Sequence, residues 1–102
     1  MNPFQFTTTV VEEDVQLSLV ELCRASRAPE EQVRVWVVEG VLEPVGASPQ
    51  EWRFAGASLR RARLALTLTR ELDINAPGVA MALDLLDEIA ALRAAPRRAG
   101  AG

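Results

Sequence analysis

The stretch that most constrains this chain is Pro29-Glu30-Glu31-Gln32-Val33-Arg34-Val35-Trp36-Val37-Val38-Glu39-Gly40. Proline at its start, two acids in its first turn and glycine just past its end are the start and stop signals of a short helix. Between them Val33, Val35, Trp36, Val37 and Val38 cover almost every side of the cylinder. A helix apolar all round has to bury one face in its own domain and offer another elsewhere. The alternation of Val33, Val35 and Val37 with Gln32, Arg34 and Trp36 also fits a strand. The brackets at both ends favour the helix.

The flanking chain supplies a scaffold for it. Val15 to Leu19 alternates like a short strand, and Ser18 with Glu21 three residues on makes a capping box ahead of an apolar run. A helix over 19–26 follows, with Leu19, Leu22 and Cys23 inward. Beyond Gly40, two short extended pieces around Gly46-Ala47-Ser48-Pro49, the second ending in Trp52-Arg53-Phe54, predict a β-hairpin. From 57 to 72 the pattern is helical, with Leu59, Ala62, Leu66 and Thr69 on one stripe and Leu64, Leu68 and Leu72 on another. A break at residues 73–78 places Asn75 or Ala76 as the next N-cap, with Pro77 in the first turn. The last helix then runs to about Ala94 and stops at Pro96. The resulting division is an extended arm over 1–14, a first unit over 15–56, a helical pair over 57–95 packed on it as one domain, and a disordered tail over 96–102.

Composition excludes most chemistry. The 102 residues contain no histidine and one cysteine, so neither a His/Cys zinc site nor a Ser–His or Cys–His couple can be assembled within the chain. Cys23, beside Leu22 in a helical run, is expected to be a small core residue. The acids show no loop-type ligand spacing. No enzyme activity, metal or cofactor is expected. No apolar run approaches the roughly 20 residues of a membrane span. Residues 1–9 lack a basic segment followed by an apolar core, so a cytoplasmic location without a secretory signal is expected. The net charge of −3 argues against a dedicated nucleic-acid binder, which gains affinity by neutralising phosphates. The only local basic surplus, Arg60, Arg61 and Arg63, has the ordinary interpretation of a solvated helix face.

The last helix carries two seams: Val79, Leu83, Leu86 and Ala90, and beside them Ala82, Leu85, Ile89 and Leu92. One seam serves the domain. The second fits a partner helix in a homodimer, or a small bundle that wraps both. Asp84, Asp87 and Glu88 form the polar face, most simply a solvated one.

The order helix, turn, helix, hairpin, longer helix resembles the MerR-type winged helix, on Ser18-Leu19-Val20-Glu21-Leu22, Arg34, Glu39-Gly40-Val41-Leu42 and Trp52-Arg53. The run from Arg70 to Ile89, RELDINAPGVAMALDLLDEI, resembles the chaperone modulator CbpM family, and the likeness covers roughly residues 17–93. Two departures stand out: Ala76 lies where the family often has Trp, and Pro96 is expected to end the last helix earlier than is usual there. The resemblance implies a mainly α fold, a MerR-like winged helix-turn-helix with a small β-hairpin wing followed by two further helices. It further implies a protein that binds the J-domain of a CbpA-type, DnaJ-like co-chaperone. Such binding keeps the co-chaperone from stimulating DnaK and from acting on DNA, by steric competition.

In a MerR-type second helix the positions matching Arg34, Val35 and Val38 face DNA. Two of the three are Val here, which can touch a thymine methyl but offers nothing to phosphates. Leaving both in water forgoes on the order of 1.5–3 kcal/mol each relative to full burial, so an apolar docking surface is the economical explanation. The plain alternative is that Val35 or Val38 packs against the arm or the wing. The expected partner-binding residues are Glu31, Arg34, Val35 and Val38. Glu30, Glu31 and Glu39 would suit a basic J-domain helix and repel phosphate, although acids in a helix's first turn also complement its dipole. Under the alternative of a DNA-binding MerR regulator, Arg34 and Arg53 would meet phosphates. Ala82, Leu85, Ile89 and Leu92 are the expected dimer seam.

Overall fold

Ser18 starts the first helix as its spacing predicts. Its Oγ accepts from the Glu21 backbone N–H at 3.2 Å, and Glu21 Oε1 accepts from the Ser18 N–H at 2.8 Å, so two otherwise unpaired donors are satisfied reciprocally. In the computed structural model, which describes residues 15–101 and the last seven of these by backbone alone, that helix is α1, Leu19–Ser26. A two-residue strand β1, Gln16–Leu17, precedes it. Helix α2, Glu30–Val38, strand β2, Phe54–Ala55, helix α3, Ala57–Glu71, and helix α4, Ala76–Ala101, complete the order. The expected arm over 1–14 lies outside the described residues.

Arg27 ends α1 in the left-handed region at φ 66°, with its N–H on the Cys23 carbonyl. Ala28 is buried at the turn, and its N–H donates to Ser26 Oγ at 3.3 Å. Pro29 presents its carbonyl to the Gln32 and Val33 amides at 3.0 and 3.1 Å, opening α2. The segment is thus a helix, and the strand alternative is set aside. Val33 and Trp36 are fully buried, which anchors α2 by one side. The buried Trp36 indole N–H has no hydrogen-bond partner among the described residues. Burial of its large ring offsets that cost of about 1–3 kcal/mol.

The β structure differs from the expected hairpin. Its two arms share one bridge, with the Val45 N–H on the Arg53 carbonyl at 3.0 Å and the reverse bond at 2.8 Å. Residues 46–52 are turned by Gly46 at φ 129° and by a Glu51 N–H bond to the Ser48 carbonyl at 2.8 Å. Strand β2 instead pairs antiparallel with β1, Gln16 opposite Ala55 and Leu17 opposite Phe54. Phe54 is thereby buried, with Trp52 edge-on to its ring at 6.0 Å. Pairing β1 with β2 ties the entrance of α1 to the entrance of α3, and the wing is a loop pinned at its base.

On α3 the buried positions are Ala62 and Ala65, with Leu59, Leu66 and Leu68 packed at the margin, while Leu64 and Leu72 are exposed. Small residues at 62 and 65 let α3 lie close to its neighbours, and that shifts the buried face between the two stripes expected from the leucines. Asn75 caps α4, its Oδ1 accepting from the Gly78 N–H at 2.8 Å. Val79 and Leu83 insert into the core, which also holds Leu22, Trp36, Leu42 and Phe54. The expected stop at Pro96 is not observed. Helix α4 continues to Ala101, so the stretch expected as a disordered tail is helical that far. A proline in a helix forfeits one N–H bond and crowds the preceding turn; here it does not end the helix.

The outer face of the second helix

Helix α2 presents two unlike sides. Inward are Val33 and Trp36, with Val37 at the margin. Outward are Glu31, Arg34, Val35 and Val38, which follow one another at i, i+3, i+4 and i+7 and so form one face. Val38 is 80% exposed and Val35 43%. Val38 is thus largely uncovered, and Val35 is a little more than half covered. The four residues expected at the partner surface therefore share one exposed face.

Arg34 is held along the helix. Its Nε and Nη2 donate to Glu30 Oε2 at 2.9 and 2.6 Å, with both side chains nearly half exposed. An exposed i,i+4 pair stabilises a helix by only a few tenths of a kcal/mol. Its larger effect is electrostatic, because Glu30 neutralises the single cation of the face and leaves Glu31 and Glu39 as its net charge. Arg53 stands elsewhere, on the wing base. Its Nη1 donates to the Trp52 carbonyl at 2.7 Å and its charge acts on Glu21.

The face extends further than the sequence indicated. A shallow groove beside α2 is lined by Ser18, Leu19, Val20, Glu30, Arg34 and Pro49. Val20 is 56% exposed there, adding an apolar side chain from α1. The signal was available, since Val20 lies off the inward stripe of Leu19, Leu22 and Cys23. Glu21 at the rim titrates below its ordinary 4.5, chiefly because the Ser18 N–H and hydroxyl bond it, helped by Arg53 and Arg24. On α1, burial and the Glu30 carboxylate raise the thiol pKa of the half-buried Cys23, opposed by Arg34.

Two other expectations change. Arg61 is not on a solvated face with Arg60 and Arg63, and Asp84 and Asp87 are not merely solvated. Arg61 donates to Asp87 Oδ2 at 2.8 Å, Asp84 Oδ1 at 3.1 Å and the Val41 carbonyl at 2.6 Å. On the dimer seam, Leu85, Ile89 and Leu92 are exposed, at 56, 44 and 62%, and Ala82 is half-buried. Leu86, from the seam expected to serve the domain, is also exposed, because α4 has left the core after Leu83.

What this arrangement presents is an exposed face with two valines flanked by carboxylates. Among the described residues there is no group of three or more His, Cys, Asp or Glu side chains able to hold a metal ion. No helix there is long and apolar enough to cross a membrane.

Comparison with known proteins agrees with the geometry. The model of the MerR HTH family regulatory proteins matches residues 17–98. A protein of Coxiella burnetii (strain Dugway 5J108-111) called chaperone modulatory protein CbpM is 40% identical over 80 residues, spanning 78% of this chain and 76% of that one. Proteins of the same name from Pseudomonas putida (strain W619) and Pseudomonas entomophila (strain L48) are 39% and 37% identical over 79 residues, 78% of each chain.

Proposed function

This chain belongs to the CbpM family of chaperone modulatory proteins, built on the MerR-type helix-turn-helix, and from that premise we propose that it binds the J-domain of a CbpA-type co-chaperone through the outer face of α2. A chaperone-modulating role follows from the homologues' names, and neither they nor the helix-turn-helix family are enzymes by description. The finer reading is steric. A J-domain held against Glu31, Arg34, Val35 and Val38 is withdrawn from its DnaK-type chaperone and from DNA. The observation that carries it is the exposure of Val35 and Val38 on a net acidic face. Exposed apolar side chains ringed by carboxylates suit a partner helix with an apolar stripe and basic flanks.

A DNA-binding regulator on the same scaffold would rely on Arg34 and Arg53. The Glu30–Arg34 pair and the neighbouring Glu31 and Glu39 disfavour it, since phosphate contact would require Arg34 to leave its carboxylate. The exposed seam of Ala82, Leu85, Ile89 and Leu92 supports a second proposal, that two copies meet along α4.

Calorimetric titration of a CbpA-type J-domain into this protein tests the first proposal. Saturable 1:1 binding per chain is expected, and no heat at about tens of micromolar, where contacts of this size should register, sinks it. Salt-sensitive retention on DNA, lost on Arg34→Ala or Arg53→Ala, would instead support the regulator.

A further inference from the structure

The end of α2 is closed by a Schellman turn, with the Gly40 N–H on the Val37 carbonyl at 3.2 Å. Gly40, at φ 83°, turns the chain so that the Val41 and Leu42 amides return to the Trp36 carbonyl at 2.8 and 3.3 Å. The side chains of Val41 and Leu42 are buried, 1% exposed each. The Val41 carbonyl points the other way and accepts from Arg61 Nε at 2.6 Å. Arg61 comes from α3, and its two remaining nitrogens reach Asp84 and Asp87 on α4. One planar guanidinium thus joins the terminal turn of α2 to two other helices, using the fork geometry that a lysine lacks.

The arrangement does little for stability. Both aspartate side chains are about 70% exposed, Asp84 at 72% and Asp87 at 69%, against 25% for Arg61. Ion pairs to carboxylates this exposed are largely screened by water. Its placement matters more. Val38 and Glu39, the last residues of the proposed docking face, precede the pinned peptide by only a few bonds, and they have no buried side chain of their own. An open cleft of about 370 Å³ surrounds Arg61, lined also by Gly40, Val41, Glu43 and Ser58. From inside, the buried Val41 and Leu42 hold the turn; on its open side the Val41 carbonyl rests on Arg61.

We infer that Arg61 is a positioning residue for the partner-binding face: oriented by Asp84 and Asp87, its guanidinium holds the Val41 carbonyl and with it the α2 turn that presents Val38 and Glu39. The inference rests on the docking role proposed above for α2. It makes the outer half of α4 a brace for the binding helix without touching the partner.

The test compares Arg61→Gln, Arg61→Lys, Asp84→Asn/Asp87→Asn and the combination of Arg61→Gln with both asparagines. J-domain affinity is read by calorimetry, folding by thermal melts, and the pose of the turn by amide shifts of Val38 and Glu39 in the unbound protein. Arg61→Gln is expected to weaken binding about fivefold, with Arg61→Lys recovering part of it and the asparagine pair costing about threefold. The combined variant loses no more than Arg61→Gln alone, because the aspartates act through the arginine. Val38→Ala should also cost less in the Arg61→Gln background than in the parent. An Arg61→Gln protein that binds within twofold of the parent overturns the inference. So does an asparagine effect that persists in full without Arg61, which would mean that the carboxylates meet the partner themselves. If the parent protein does not bind the J-domain, the docking proposal fails by itself. The amide shifts then still decide: movement at Val38 and Glu39 in the free Arg61→Gln protein keeps the positioning role, and unchanged shifts remove it.

Discussion

Replacing Val35 and Val38 together by alanine separates binding from folding, because the structure predicts unequal effects on the two. Each substitution deletes two methyl groups, worth about 1.6 kcal/mol if wholly taken out of water. Val38 is 80% exposed and Val35 43% exposed in the free protein. Scaling by those fractions, covering them on binding contributes about 1.3 and 0.7 kcal/mol, or about 2 kcal/mol for the pair, equivalent to roughly a 30-fold change in Kd. By the same scaling folding gives up the buried remainder, about 1.2 kcal/mol for the pair and mostly at Val35. Against that, alanine is the better helix former by a few tenths of a kcal/mol per site. Calorimetry against the J-domain and a thermal melt of the same preparations read both quantities. The double variant should bind about 30-fold more weakly with a Tm that changes little. A Kd within twofold of the parent refutes the argument that these valines are the apolar centre of the contact. A large fall in Tm refutes the placement of the two side chains.

Three further outcomes follow from named contacts. Ser18→Ala removes the N-cap hydroxyl of α1 and should cost about 1 kcal/mol of stability. It should also let the Glu21 pKa return towards 4.5, as followed by NMR titration of the carboxylate. Because folding depresses the Glu21 pKa, the parent carries this contribution above 4.5 and loses it as pH falls from 4.5 through the lowered value; in Ser18→Ala that acid-limb dependence shrinks. Gly46→Ala places a Cβ 2.5 Å from the Glu51 carbonyl oxygen at φ 129°, so the Val45–Arg53 bridge should open and denaturant melts should show a loss of about 2 kcal/mol or more. Leu85→Gln/Ile89→Gln/Leu92→Gln alters only exposed side chains. If two copies meet on α4, sedimentation shows the parent as a dimer and this variant as a monomer, and a parent that is monomeric at all concentrations removes the dimer proposal.

What could be read from the sequence was mostly local chemistry. Ser18 and Glu21 mark the start of α1, and Pro29 and Gly40 bracket α2, because a cap or a breaker acts within one turn of itself. Asn75 gave the start of α4 for the same reason. Contacts between distant residues were less legible. Pairing of β1 with β2 joins residues 37 positions apart at Leu17↔Phe54, and no turn signal reports such a pairing. On α3, leucine spacing could not reveal that Ala62 and Ala65 are the fully buried positions. Arg61 reads like Arg60 and Arg63 in the sequence, and only the placement of Asp84, Asp87 and the Val41 carbonyl around it distinguishes it. The proposed partner face fell between these cases. Its four residues follow from helical periodicity, while Val20 joins them only once α1 and α2 are set side by side.

The central claim, that the outer face of α2 reads a J-domain, is tested most directly by chemical-shift mapping on the labelled protein during titration with that domain. The account predicts the largest amide and methyl changes at Glu31, Arg34, Val35 and Val38, spreading to Val20. Changes centred on Leu85, Ile89 and Leu92 of α4, with α2 unmoved, would contradict it.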